Sequence, residues 1–222
     1  MNYTHYFTLL SLLLGFGAQA QKHSVRLHIG SGLTNVTQQV LNPSDGLGDR
    51  ANWGFSTEIT YQYHFKKPFY VGIGFAFADK GFATEIDLTD REGELIGTGE
   101  ETIHTSYTAI PIHIGATFGA PYYFRADYAL VPSWLSKATL ESSIISNQEV
   151  DISESLDSFD LGHQIQLGVG RNFSKRLAID LSIALQQSFT ALAFGKFSAN
   201  ADQLDYYHQE LKLMAGVTYK IK

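Results

Sequence analysis

His104 and Ser106 stand two residues apart in a stretch rich in hydroxyls. In an extended chain that spacing puts imidazole and hydroxyl on one strand face, as a serine nucleophile and its general base require. A polar strand extension accounts for the same residues. A second constellation is acidic: Asp79, Glu85, Asp87, Asp90, Glu92, Glu94, Glu100 and Glu101 crowd one segment. Hard oxygen ligands of this kind attract Ca2+ or Mg2+, which would bridge to phosphate. Asp87, Asp90, Glu92 and Glu94 lack the spacing of an EF-hand loop, and the plainer alternative is a solvated, charge-repelling hairpin. A third set is dispersed along the chain: Arg26, Glu58, Arg125, Asp127, Asp180, Glu210 and Lys212, with His28, His64 and His113. These become a set only when the elements that carry them are known.

Those elements alternate with a period of two. Phe55, Thr57, Ile59, Tyr61, Tyr63 and Phe65 face Gly54, Ser56, Glu58, Thr60, Gln62 and His64 across one strand. After Lys66-Lys67-Pro68 the pattern resumes with Phe69, Val71, Ile73, Phe75 and Phe77, which reads as a hairpin. Similar runs start near Val25, Ile110, Tyr122, Leu161, Leu177 and Leu211, so eight strands are predicted. Phe82, Thr84, Ile86 and Leu88 continue the third strand beyond this frame, with a turn near Arg91-Glu92-Gly93.

One face of every strand is large and apolar; the other holds glycine, alanine, serine and all the ions of the third set. Eight strands enclose a space only just wide enough for side chains, so small and paired charged residues belong inside. The apolar face must then meet lipid. The opposite register would put Arg26, Arg125 and Lys212 on the lipid side at roughly 2–4 kcal/mol each. Strand edges cannot stay unpaired in hydrocarbon, which requires closure. The expected fold is therefore an all-β, eight-stranded antiparallel transmembrane up-and-down β-barrel with short periplasmic turns and longer external loops. Its interior network, Arg26, Glu58, Arg125, Asp127, Asp180, Glu210 and Lys212, reads as a plug of mutually satisfied ions, with a pore or proton path as the alternative. No metal site is expected of the three histidines, which lack a carboxylate at ligand spacing, and no cofactor is expected. Glu85, Asp87, Asp90, Glu92 and Glu94 form an external acidic loop expected to bind protein or a divalent cation.

Phe7 to Phe16 is apolar and too short to span a bilayer as a helix; Ala18-Gln19-Ala20 follows as a small-x-small cleavage signature. Residues 1–20 read as a signal peptide for Sec export and 21–222 as the barrel domain. The chain carries 16 Lys plus Arg against 22 Asp plus Glu. That balance argues against a nucleic-acid partner, whereas outer-membrane lipid and lipopolysaccharide are expected to surround the wall. Zero Cys excludes disulfides, thiolate metal sites and cysteine nucleophiles.

Tyr107-Thr108-Ala109-Ile110-Pro111-Ile112 resembles the Tyr-x-x-Ile-Pro-hydrophobic signature of the PorT-like outer-membrane β-barrel family of Bacteroidetes. The Ala18-Gln-Ala-Gln21 site, the Gly-rich third strand and the closing Gly216-Val-Thr-Tyr219-Lys-Ile221 are similar as well. The resemblance implies an eight-stranded barrel in the bacterial outer membrane, with diverse roles that include an accessory part in protein secretion. The pair His104 and Ser106 is also similar to the His-x-Ser pair of outer-membrane lipid A deacylases, which implies a lipid-modifying hydrolase as an alternative. The reading preferred is a structural or loop-mediated binding platform rather than an enzyme.

Overall fold

A computed structural model describes residues 22–38, 50–144, 148–193 and 205–221. The signal-peptide reading of residues 1–20 and parts of the first and last external loops lie outside them. The strands are β1 (Lys22–Gln38), β2 (Arg50–Lys66), β3 (Phe69–Thr89), β4 (Leu95–Ala109), β5 (Ile112–Phe118), β6 (Tyr122–Ser142), β7 (Gln148–Asp151), β8 (Phe159–Asn172), β9 (Leu177–Ser188), β10 (Leu192–Ala193) and β11 (Asp205–Ile221). The antiparallel order β1-β2-β3-β4-β6-β8-β9-β11 closes through β1–β11 pairing from His23↔Ile221 to Gln38↔Tyr206. Both β4 and β5 lie between β3 and β6, so they form one line broken at Ile110-Pro111. The ring therefore has eight positions.

The break follows from proline's missing N–H. Pro111 is fully buried, its carbonyl accepts from Gly74 N at 2.8 Å, and Ile110 N donates to Pro132 O at 3.0 Å. The wall thus stays sealed where the ladder is interrupted. Three tight connections, at 67–68, 119–121 and 173–176, gather at one end. At the other end the strands overshoot: β3 and β6 each have 21 residues, against the roughly 9–11 that cross a bilayer. The continuation of the third strand through Phe82, Thr84, Ile86 and Leu88 is thus present, and β6 extends past the bilayer in the same way. The β3–β4 hairpin turns at 90–94, where Gly93 takes a positive φ of 88°, a conformation that favours glycine.

Alternation holds on every strand of the lower wall. Along β9, Ala178, Asp180, Ser182 and Ala184 are buried while Ile179, Leu181, Ile183 and Leu185 are exposed. Ile112 and Leu213 also point outward, and Arg26 and Lys212 inward at 4% and 5% exposure. Glycine makes room for a large inward side chain: a Cβ on Gly216 would collide with the His28 ring.

Candidate functional site: the barrel interior and the external arm

Two ionic clusters occupy the interior. In the periplasmic half Asp127, from the first third of β6, is the hub. Its Oδ2 accepts from Arg26 Nη1 at 3.2 Å and from the Tyr70 hydroxyl. Its Oδ1 lies 3.3 Å from His113 Nδ1, and His113 Nε2 lies 3.1 Å from Glu58 Oε1. Carboxylates at both ring nitrogens suit an imidazolium, which alone carries a proton on each. Asp180 is approached by Arg125 Nη2 at 3.0 Å and His28 Nε2 at 3.1 Å. With His113 charged, Arg26, Arg125 and His113 balance Glu58, Asp127 and Asp180.

The second cluster lies nearer the external end. Lys80 Nζ is 3.1 Å from Asp160 Oδ2 and 3.0 Å from Glu210 Oε1; Lys212 Nζ is 2.7 Å from Glu210 Oε2. Ser188 and Thr190 hydroxyls donate to Asp160 at 2.8 Å each, and Lys80 sits 4.8 Å from the centre of the Tyr107 ring. Here two cations meet two anions. Alanines 76 and 109, Pro111, Val131 and Met214 lie between the clusters beside a cavity of about 20 Å³, space for about one water.

Above the second cluster the interior changes character. Val36, Phe82, Ala138, Ile152, Leu156 and Leu192 form a buried apolar cap, with Ile103, Leu135 and Leu140 packed against it. The cap is held to the wall by Ile152 N donating to Ala138 O at 3.0 Å. Among the described residues, the ionic clusters and the cap occupy the axis below and above that small cavity.

All seven residues of the proposed interior network are buried, and the structure divides them: Glu210 and Lys212 join Lys80 and Asp160, the other five surround His113 and His28. Lys80 was missed as an interior ion because it lies within the acidic segment, directly after Asp79. Its even position, continuing Ala76 and Ala78, was the available signal. His64, the third inward histidine, meets the Ser24 hydroxyl at 3.0 Å.

On the outer face, Ser106 donates to Asp79 Oδ1 at 2.7 Å, and His104 Nδ1 lies 3.5 Å from Asn52 Nδ2. Hydroxyl and imidazole share the predicted face without meeting each other. Of the external acids, Glu85 is 2.6 Å from Arg50 Nη2, and Glu100 is 3.3 Å from Arg50 Nη1. Asp90 Oδ1 accepts from Glu92 N at 3.0 Å and Glu94 N at 2.8 Å, which closes the turn. Asp87, Glu92 and Glu94 present their carboxylates to solvent. On the neighbouring rim Lys137 donates to Glu149 at 3.2 Å and holds its carboxyl below the usual range; Asp151 is likewise lowered by accepting from Ser153.

A closed, lipid-coated antiparallel ring with ions along its axis defines an outer-membrane β-barrel. Residues 18–193 match the family described as outer membrane protein beta-barrel domain. The chain belongs to that family and so to the bacterial outer membrane. Solved structures with similar folds include Neisserial surface protein A at 13% identity, covering 89% of this chain and 97% of that one, with a TM-score of 0.42. Another is OprG of Pseudomonas aeruginosa at 10%, covering 93% and 98%, with a TM-score of 0.47. A third is Ail, the attachment invasion locus protein of Yersinia pestis, at 12%, covering 89% and 98%, with a TM-score of 0.40. No curated protein matches the chain.

Proposed function

We propose that the barrel is a rigid surface platform that carries the β3–β4 arm and the β6–β7 rim clear of the membrane for ligand binding, and that it transports nothing through its axis. The observation behind this reading is the interior: two charge-balanced clusters and an apolar cap fill it, while the longest strands continue far past the bilayer. Effort in the fold goes to the external end. Lipopolysaccharide is the expected neighbour of the wall there, and the free carboxylates of Asp87, Glu92 and Glu94 are the groups that would meet a protein or divalent cation.

Residues 1–20 are read as the Sec signal that delivers the chain, on the strength of the apolar run and Ala18-Gln19-Ala20. The Tyr107 to Ile112 motif supports placing the protein with the PorT-like barrels of Bacteroidetes. Planar bilayers test the platform reading. Folded protein should give no steady conductance, whereas stable ohmic steps would favour a pore. Crosslinking in native membranes should capture a partner with the intact arm and lose it when residues 84–100 are replaced by Asn-Gly.

A further inference from the structure

Every described turn residue at the periplasmic rim is neutral or cationic. Lys66, Lys67, Lys175 and Arg176 are exposed there, and no Asp or Glu occurs within 65–70, 118–124 or 170–178. One cation differs from these turn residues in placement. Arg171 continues the outward alternation of Ile165, Leu167 and Val169, pairs with Tyr122 and Ile179, and so sits on the lipid wall itself. Its guanidinium carbon lies 5.2 Å from the centre of the Tyr122 ring and 5.3 Å from that of Phe173. Among the described residues no carboxylate pairs with it.

Two rings that hold a guanidinium restrict its plane and leave its N–H edge as the binding surface. Such an edge matches two oxygens of a phosphodiester in bidentate fashion. Aromatic residues of a barrel girdle sit where lipid headgroups begin, so phosphate is the anion met at this height. Directly above lie Phe124, Val169, Leu167 and Ile179, an exposed apolar strip along which acyl chains fit.

We propose that Arg171, clamped by Tyr122 and Phe173, is a binding site for the phosphodiester headgroup of an anionic phospholipid of the periplasmic leaflet. This goes beyond the platform reading and does not depend on it. The test is native mass spectrometry of the folded protein in detergent titrated with dioleoylphosphatidylglycerol, each variant first shown to fold by its heat-modifiable gel shift. Arg171→Gln should weaken lipid retention roughly tenfold, the loss expected for a charge-assisted hydrogen-bond pair. Arg171→Lys and Phe173→Leu should fall between, because one loses the planar fork and the other one wall of the clamp. Lys67→Gln, a turn cation outside the clamp, should bind as wild type, and excess inorganic phosphate should leave the lipid in place. Equal retention by Arg171→Gln, an equal loss in Lys67→Gln, or displacement by inorganic phosphate would each overturn the site.

Discussion

The lower and upper halves of β6 obey opposite rules. From Tyr122 to Trp134 the inward residues include Arg125 and Asp127 while Phe124, Tyr128, Leu130 and Trp134 face out. Above Trp134 the inward residues are Leu135, Ala138 and Leu140 in the apolar cap, and Lys137 and Glu141 are exposed. The solvent outside explains the reversal. In lipid the wall is apolar, and the narrow core takes charges because they can pair; in water the apolar residues return inside as in any soluble domain. One ladder of hydrogen bonds thus carries two kinds of core.

Substitutions can break this contrast. The largest effect is expected at the hub of the lower half: Asp127→Ala strands Arg26 and His113 and should cost roughly 3–5 kcal/mol in reversible urea unfolding from lipid vesicles. A loss below about 1 kcal/mol would mean that water enters the core and screens these ions. Phe82→Ala removes the largest cap residue and should cost about 3 kcal/mol by the same measurement. In the lower half, Ile183→Lys on the lipid face at mid-wall should cost about 2 kcal/mol, whereas Ser136→Lys on the outer face above Trp134 should change stability by less than about 0.5 kcal/mol. Equal costs at these two positions would place both in the same solvent and erase the contrast.

The smallest effect belongs to the exposed rim. Lys137→Ala should leave stability unchanged within error, yet raise the Glu149 carboxyl towards its ordinary range in an NMR titration. Because Glu149 is held low in the folded protein, whatever its pair contributes is present above the unfolded carboxylate pKa and fades as pH falls through the folded value.

Much of the lower half was legible in the sequence, since period-two alternation and eight-strand closure dictate which residues share the interior. The division of that interior was not. Asp127 and Glu58 meet through His113 from three strands, and no spacing along the chain encodes the stagger that aligns them. The upper half was harder still. The continuation of β3 was legible, but the register shift at Ser106/Tyr107 sets Ser136 as an extra residue in β6. Beyond that bulge even-numbered Ala138 and Leu140 turn inward, so an unbroken period would have buried Lys137. The pair His104 and Ser106 fell on one face as predicted, but their partners, Asn52 and Asp79, come from β2 and β3.

Absence of cysteine makes single-cysteine spin labelling along β6 from residue 122 to 142 the most direct measurement. Labels at 124, 128, 130 and 134 should show high oxygen and low aqueous-reagent accessibility, labels at 125, 127, 138 and 140 low accessibility to both, and labels at 136, 137 and 141 high aqueous accessibility. Lipid-type accessibility persisting through residue 141, or aqueous accessibility at 125 and 127, would contradict a wall that changes solvent near Trp134 around a sealed ionic core.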